Sequence, residues 1–328
     1  MAKSEIYNTL PGFEVPVGKA LSELSKMWEA PAGSDAKAPS EYRASRMNLI
    51  LHMGFECSVE QGESTFQTAL EFSRRYPCRV IILCAQPDSW NDNSDMVCKI
   101  YSHCDIGQAG DGMSCCEVLT LGYTLSDRRF LENQVSIFLE ADLPTYYWPV
   151  SFGSAQRLSD YQFFFKESQR VVLDAACDED LLKEVEIPYS GKIHDLAYSR
   201  LLSIRQSIGQ FMSSYAIESI LDGLQGVEMK VPTSFSAEGK ALLGWIQTVI
   251  DSCQSDTEVS FSREVNDKVE IPFLSFSYNN KNSLTCELNL SAGQGKIDAV
   301  FSGEGHSMTA GIRLLDPTET LAEAMFFA

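Results

Sequence analysis

Histidine, the side chain that most often performs acid–base chemistry, is scattered in this sequence. The four histidines are His52, His103, His194 and His306, and none has a carboxylate or nucleophile at a spacing diagnostic of a catalytic site. A general base could still be assembled in three dimensions, but the pattern favours structural or exposed histidines. No Walker sequence, nucleophile elbow, HExxH motif or kinase signature occurs.

One group of thiols could act together. Cys98, His103, Cys104, Cys115 and Cys116 fall in two neighbouring strand-like segments. If the strands pair, Cys104 and either Cys115 or Cys116 come within thiol reach, which suits a redox-sensitive pair or a metal site. The spacing lacks the CxxC and HxxxH patterns of zinc sites, so no metal centre is predicted and packing thiols are favoured.

A glycine-rich stretch, GQAGDG at Gly107–Gly112, superficially resembles a phosphate loop. It lies between two predicted strands, whereas a phosphate loop needs a helix N-terminus behind it to supply amides and dipole. We therefore predict an ordinary hairpin loop. No cofactor is predicted.

The charge balance limits the partners. The 328 residues include 45 Asp and Glu against 26 Lys and Arg, a formal net charge of −19, which disfavours nucleic acid and anionic membranes. No apolar run approaches the roughly 18 residues of a membrane span, and the N-terminus has no apolar segment typical of a secretory signal. A cytoplasmic protein is expected. No Lys or Arg occurs between Arg129 and Arg157, which predicts an acidic face suited to a basic partner.

The pattern of strands and helices that must position the candidate residues predicts a mixed α/β domain over residues 1–178. A docking helix at 16–29 and a small-residue linker at 30–40 precede alternating strands and helices. The predicted strands are Met47–Met53, Arg79–Ala85, Val97–Cys104, Cys115–Tyr123, Thr145–Pro149 and Val171–Asp174. We expect Val97–Cys104 and Cys115–Tyr123 to form an antiparallel pair. The alternation of strands and helices indicates a mixed sheet.

Residues 179–328 are predicted to form an α+β domain with a mainly antiparallel sheet. Helices are predicted at Ile193–Met212, where apolar residues recur at steps of three and four, at Ala237–Ile250 and at Asp316–Phe327. The predicted strands are Glu258–Arg263, Val269–Tyr278, Ser283–Asn289, Ile297–Ser302 and Met308–Leu314.

Two segments are unusual without being catalytic. In Glu140–Val150 (EADLPTYYWPV), prolines restrict a run of aromatic residues to a short extended piece. Its tyrosines and tryptophan fit either core packing or a surface hot spot, and the sequence leaves both open. The helix Ile193–Phe211 carries Asp195, Arg200 and Arg205 on its polar side, which fits a solvated face with a local ion pair or a contact surface.

The ordered set of segments resembles the glucose-6-phosphate dehydrogenase assembly protein family, OpcA. The resemblance covers about residues 40–215 well and the C-terminal strands loosely. The segments that carry it are RASRMNLIL (43–51), YPCRVIIL (76–83), CEVLTLGY (116–123), LEADLPTYYWP (139–149), VVLDAA (171–176) and HDLAYSRLLSIRQ (194–206). The chain has Tyr147-Trp148 where the family usually has two tryptophans, and Tyr198 and Ile204 where it tends to have tryptophan.

The resemblance implies a non-catalytic protein that binds glucose-6-phosphate dehydrogenase in the oxidative pentose phosphate pathway and promotes its assembly or activates it allosterically. It also implies that some members respond to thiol chemistry. The candidate partner-binding residues are Asp142, Tyr147, Trp148, Asp195, Arg200 and Arg205, and the candidate redox residues are Cys104, Cys115 and Cys116. The alternatives are a sugar-phosphate-binding enzyme and a thiol-based redox or metal-binding module.

Overall fold

A computed structural model describes residues 6–27, 45–87, 96–106, 113–176, 192–253 and 258–327. Contacts divide the chain into unit 1, residues 1–195 with 321–328, and unit 2, residues 196–320. The predicted boundary at 178/179 and the predicted linker at 30–40 lie outside the described residues, as do residues 28 and 29 of the docking helix. Within the described ranges, no helix has both the length and the apolar character that crossing a membrane requires.

Unit 1 contains an eight-stranded mixed sheet in the order β1-β4-β5-β3-β2-β6-β7-β8. The strands are β1 (Phe13–Val15), β2 (Asn48–Met53), β3 (Arg79–Gln86), β4 (Val97–Ile106), β5 (Met113–Thr124), β6 (Thr145–Val150), β7 (Arg170–Leu173) and β8 (Ile193–Asp195). Strands β5, β3, β2, β6, β7 and β8 are parallel, whereas β4 is antiparallel to both β5 and β1. This arrangement confirms the predicted mixed-sheet α/β fold and the predicted antiparallel pair.

Helices cover both faces of this sheet. They are α1 (Ile6–Thr9), α2 (Ala20–Lys26), α3 (Val59–Arg75), α4 (Arg128–Phe138), α5 (Ala155–Ser159) and α6 (Gln162–Glu167), with short 3-10 turns at Val17–Lys19 and Leu125–Asp127. Helix α3 begins where the Ser58 side chain accepts a hydrogen bond from the amide of Gln61. Every residue of β2 and β3 is buried, as expected for parallel strands between two helical layers.

Successive residues of β6 show which helix lies on which face. Tyr147 belongs to the apolar cluster that contains Leu131 and Val135 of α4. Its neighbour Tyr146 points to the opposite face, where its ring centroid lies 6.0 Å from that of Phe326, which is itself 6.0 Å from that of Phe72 in α3. Helices α3 and α4 therefore cover opposite faces of the sheet.

Unit 2 contains a six-stranded sheet in the order β10-β9-β11-β12-β13-β14. Only β10 and β9 are parallel among its pairings, which confirms the predicted, mainly antiparallel α+β arrangement. The strands are β9 (Leu224–Val231), β10 (Ser260–Val265), β11 (Phe273–Tyr278), β12 (Ser283–Asn289), β13 (Gln294–Phe301) and β14 (Glu304–Gly311). The helices are α7 (Leu196–Ser199), α8 (Leu202–Met212), α9 (Ile217–Leu221) and α10 (Ser236–Ser252), with a 3-10 turn at Thr233–Phe235. Helix α11 (Pro317–Phe326) begins in unit 2, and its residues from 321 onward belong to unit 1.

The predicted single helix over Ile193–Met212 is wrong at its start. Ile193–Asp195 form β8, which pairs in parallel with Val171–Leu173 of β7, and the helical part is broken into α7 and α8. The Asp195 carboxylate also accepts a hydrogen bond from the amide of Ala175. Pairing with a distant strand therefore overrides the local helical periodicity, because three residues contribute little to a periodic pattern.

Other local details also differ from the prediction. Strands β1 and β9 were not predicted. Strand β9 contains Gly226 and begins directly after the positive-φ residue Gly223. These glycines weaken the strand pattern in the sequence. Both missed strands take their stability from pairing with neighbours.

The loops that follow β2 and β6 press against each other. The amide of Gly54 donates to the carbonyl of Val150 over 2.8 Å, and the amide of Glu56 donates to the carbonyl of Ser151 over 3.2 Å. A Cβ atom on Gly54 would lie 2.5 Å from the Ser151 carbonyl oxygen. Only glycine fits at this position without moving one of the two loops.

We predict that Gly54→Ala lowers the free energy of unfolding by about 1–3 kcal/mol, because the added methyl group forces two backbones apart. Gly18→Ala is the matched control: no atom lies within 4 Å of the added Cβ, so its effect stays within about 0.5 kcal/mol. Chemical denaturation of both variants checks this, and equal stabilities would contradict the tight loop contact.

Candidate functional site

The segment Leu139–Pro144 between α4 and β6, here called the acidic loop, is fixed by the side chain of Asn48. The Asn48 amide nitrogen donates to the carbonyls of Glu140 (3.0 Å) and Leu143 (3.3 Å), and its oxygen accepts from the amide of Glu140 (3.0 Å). Asn48 is fully buried at the start of β2. A buried amide with three backbone bonds gives the loop one conformation.

A buried arginine fixes the same loop from β3. The Arg79 guanidinium lies 2.7 Å from the Glu117 carboxylate of β5 and 2.6 Å from the Glu140 carboxylate. It also donates to the carbonyl of Phe138 over 3.0 Å, at the end of α4. Two strands, a helix terminus and the acidic loop therefore converge on one cation, which satisfies a helix-terminal carbonyl as well as two carboxylates.

The outer side of these elements is exposed. Phe130 and Ile137 are spaced by seven residues on α4, so they lie on one side of the helix, and their side chains are 51% and 60% exposed. Asp142 and Glu132 are also exposed. We call the set Phe130, Glu132, Ile137, Glu140 and Asp142 the α4–loop surface. It combines exposed apolar groups with carboxylates.

The two predicted aromatic contact residues do not belong to this surface. Tyr147 is fully buried in β6, and Trp148 is 6% exposed. Strand β6 is an inner strand of the sheet, between β2 and β7. Asp142 is therefore the predicted partner-binding residue of this segment that is accessible from solvent, whereas Tyr147 packs in the core under α4 and Trp148 faces the other side of the sheet.

The other predicted contact residues make intramolecular contacts. Asp195, half-buried, holds the amide of Ala175. In unit 2, Arg200 pairs with Glu238 at 2.5 Å, and Arg205 lies with its guanidinium carbon 3.8 Å above the ring centroid of Tyr198. Both arginines are half-buried. Their role in partner binding stays a prediction, and the contacts give each a structural role as well.

The strand register places the predicted redox cysteines opposite each other. Cys104 pairs with Cys115, and His103 pairs with Cys116, although the side chains of 103–106 and 113–115 lie outside the description. Cys116 is buried. Elsewhere, burial raises the pKa of Cys98 and Cys286 to about 12, which makes these thiols unreactive. No group of three metal-ligating side chains occurs among the described residues.

The position where an open parallel sheet usually binds a ligand is occupied here by protein. Strand β2 lies between β3 and β6, and the order of the strands reverses between β2 and β6. Open sheets usually bind ligands at such a reversal, in the crevice at the carboxyl ends of the two strands. The contacts of Gly54 with Val150 and of Glu56 with Ser151 span it. The Ser151 hydroxyl also donates to the Gln61 side chain over 2.8 Å, and Arg157 pairs with Glu56.

Below this contact lies His52, enclosed by aromatic rings. Its Nε2 is 2.6 Å from the Tyr123 hydroxyl and its Nδ1 is 2.9 Å from the Tyr147 hydroxyl, while Tyr123 donates to Tyr161 over 2.7 Å. Because the Tyr123 hydroxyl donates its proton to Tyr161, it accepts from His52. Nε2 of His52 therefore carries the ring proton, and Nδ1 accepts from the Tyr147 hydroxyl. Burial lowers the pKa of His52 to about 3, so the imidazole is neutral at physiological pH.

The sequence pointed to the acidic loop, whereas Arg79, Glu117 and Asn48 were missed. Each of these three is a polar residue in an apolar strand segment. A charged residue at the start of a buried strand is a usable signal, because a buried charge needs a partner.

A comparison with protein families finds one match within the chain. Residues 69–187 match the family model described as glucose-6-phosphate dehydrogenase subunit N-terminal domain, OpcA_G6PD_assem. The matched range includes Arg79, Glu117, α4 and the acidic loop, and it confirms the resemblance drawn from the sequence. No curated protein matches the chain.

We predict that Arg79→Met lowers the free energy of unfolding by about 3–5 kcal/mol, because the buried Glu117 carboxylate loses its arginine. Arg157→Met, which removes the exposed pair with Glu56, is the control and changes stability by about 0–1 kcal/mol. Denaturant titration measures both. A cost for Arg79→Met no larger than that of the control would show that the buried cation does not hold this region together.

We predict that His52 makes the protein less stable as the pH falls from about 6.5 toward 3. The unfolded imidazole binds a proton with its ordinary pKa of 6.5, whereas the folded one, with a pKa of about 3, does not. Between pH 7.5 and pH 5 the wild type should therefore lose about 2 kcal/mol more than His52→Gln. Parallel stability curves for the two proteins would refute the buried neutral state.

Proposed function

We propose that this protein binds glucose-6-phosphate dehydrogenase and serves as its non-catalytic assembly factor and allosteric activator, on the premise that residues 69–187 belong to the family of glucose-6-phosphate dehydrogenase subunit N-terminal domains. The observation that carries the proposal is the α4–loop surface. It lies inside the matched range, and it is held in one conformation by Arg79 and Asn48.

The chemistry of this surface suits a protein partner. Exposed Phe130 and Ile137 supply apolar contact area, and Asp142 beside them supplies charge. Interfaces combine a few apolar anchors with a polar rim, and a surface that is already ordered loses little entropy on binding. Since the chain has a net charge of −19, a partner with a basic patch is favoured, both in the complex and during approach.

The absence of catalysis is supported by what occupies the usual ligand position. Backbone contacts between the loops after β2 and β6 span that crevice. The histidine beneath it is neutral and bonded to two tyrosines. A general base needs a pKa near the working pH and access to substrate, and His52 has neither.

Activation follows if the protein binds one state of the dehydrogenase more tightly than another. Each 1.4 kcal/mol of differential binding free energy shifts the equilibrium between enzyme states about tenfold. The same argument applies to assembly, because a protein that binds the oligomer better than the free subunits shifts the equilibrium toward the oligomer.

A thiol-responsive role is a second proposal, favoured by the strand register. Directly opposed residues of an antiparallel pair have Cα atoms about 4.5–5.5 Å apart, within the range that a disulfide spans. Cys104 and Cys115 are such a pair. Counting free thiols in oxidised and reduced samples of the native protein tests this, and an unchanged count would dismiss it.

We predict that Asp142→Lys and Ile137→Ser each raise the Kd for the dehydrogenase of the same organism at least about tenfold, because they remove a charge or an apolar contact from the α4–loop surface. Glu63→Lys is the control, since Glu63 is exposed on α3, which covers the opposite sheet face. Isothermal titration calorimetry measures binding. Dehydrogenase activity, KM and oligomer size are measured in parallel, with and without this protein.

Equal affinities for all three variants and the wild type would remove the α4–loop surface from the proposal. If the wild type at micromolar concentration alters none of activity, KM and oligomer size, the proposed function itself is wrong.

A further inference from the structure

A cleft of about 660 Å³ opens in unit 1 between the acidic loop and the segment that joins α6 to β7. Its volume is in the range of pockets that enclose a small ligand or a large side chain. The lining residues come from the end of α4, the acidic loop, the start of β6, α6, the segment between α6 and β7, and the residue before β8. They are Ser136, Leu139, Glu140, Ala141, Leu143, Pro144, Thr145, Phe163, Glu167, Ser168, Gln169 and Lys192.

The cleft contains hydrogen-bond acceptors for a ligand. Two carboxylates line it: that of Glu140 is paired with Arg79, whereas that of Glu167 is exposed and accessible to a ligand. The hydroxyl of Ser168 is buried and has no hydrogen-bond partner among the described residues, although Ser168 lines the cleft. The Lys192 ammonium donates to the backbone carbonyls of Lys166 and Ser168, both at 2.9 Å. Two of its three donors are therefore occupied by backbone acceptors.

Apolar side chains also line the cleft, beside the polar Ser136, Thr145 and Gln169. Leu139 and Leu143 of the acidic loop and Phe163 of α6 supply hydrocarbon and an aromatic ring. A ligand that fits both parts has several donors at its tip and an apolar stem. The guanidinium group of arginine has five donors, is planar and weakly hydrated, and follows three methylene groups.

We propose that this cleft binds an arginine side chain of the partner protein, with the guanidinium donating to Glu167 and its methylene groups packing beside Leu139, Leu143 and Phe163. The inference rests on the proposed function and specifies the chemistry of that partner. An anionic ligand is disfavoured by the exposed Glu167 carboxylate, and an ammonium group has fewer donors and is more strongly hydrated than the guanidinium.

The first test uses the full chain and the intact dehydrogenase. Glu167→Gln removes one charge while keeping the size of the side chain, and we expect it to raise the Kd at least about tenfold. Glu63→Gln, the same change on the opposite face of the sheet, should leave the Kd unchanged. Thermal unfolding of both variants is measured alongside, and unfolding as in the wild type shows that Glu167→Gln acts on binding and not on folding.

The second test needs no partner. N-acetyl-arginine methylamide is titrated into the isotope-labelled chain, with the lysine and citrulline analogues as controls. We expect saturable chemical-shift changes at Glu167, Ser168 and the acidic loop with the arginine probe, loss of these changes in Glu167→Gln, and weaker changes with either control. Citrulline has the shape of arginine without its charge, so equal binding of citrulline, or of lysine, would overturn the assignment of the cleft to a guanidinium.

The two tests separate this inference from the proposed function. If the wild type binds the dehydrogenase, and Glu167→Gln binds it equally well, the cleft does not hold a partner arginine, while the proposed function stands. If the wild type does not bind the dehydrogenase at all, the proposed function fails, and the inference that rests on it fails with it.

Discussion

The structure of unit 1 depends on one buried cation. Arg79 joins Glu117, Glu140 and the carbonyl of Phe138, so neighbouring strands, the end of α4 and the acidic loop share a single electrostatic centre. A buried charge is tolerated only when its partners are all in place, and removal of one partner leaves another without compensation. The ordered loop that carries Asp142 follows from this constraint, because separating Glu140 from the buried Arg79 costs free energy.

In unit 1, contacts between backbone groups fill the crevice where open sheets usually bind ligands. Gly54 brings the loop after β2 against the loop after β6, and His52 lies neutral beneath them among tyrosines. The crevice at the strand reversal is therefore packed, whereas the accessible features lie at the other end of the strands, around α4 and the acidic loop. This division supports a protein that acts through its outer surface.

The sequence was sufficient for features that arise from local pattern. The buried strand β3 was predicted, because burial on both strand faces leaves a continuous apolar run in the sequence. Strand β8 was not, since Ile193–Asp195 take their conformation from pairing with β7. The burial of Tyr147 and the pairing of Arg79 with Glu117 also depend on contacts between residues distant in sequence, which a single sequence does not specify.

The most direct test of the central claim is hydrogen–deuterium exchange of this protein with and without the dehydrogenase. We expect complex formation to slow exchange in α4, the acidic loop and the segment from α6 to β7, while α3 on the opposite sheet face exchanges as before. Protection confined to α3, with unchanged exchange from residue 128 to residue 144, would contradict it.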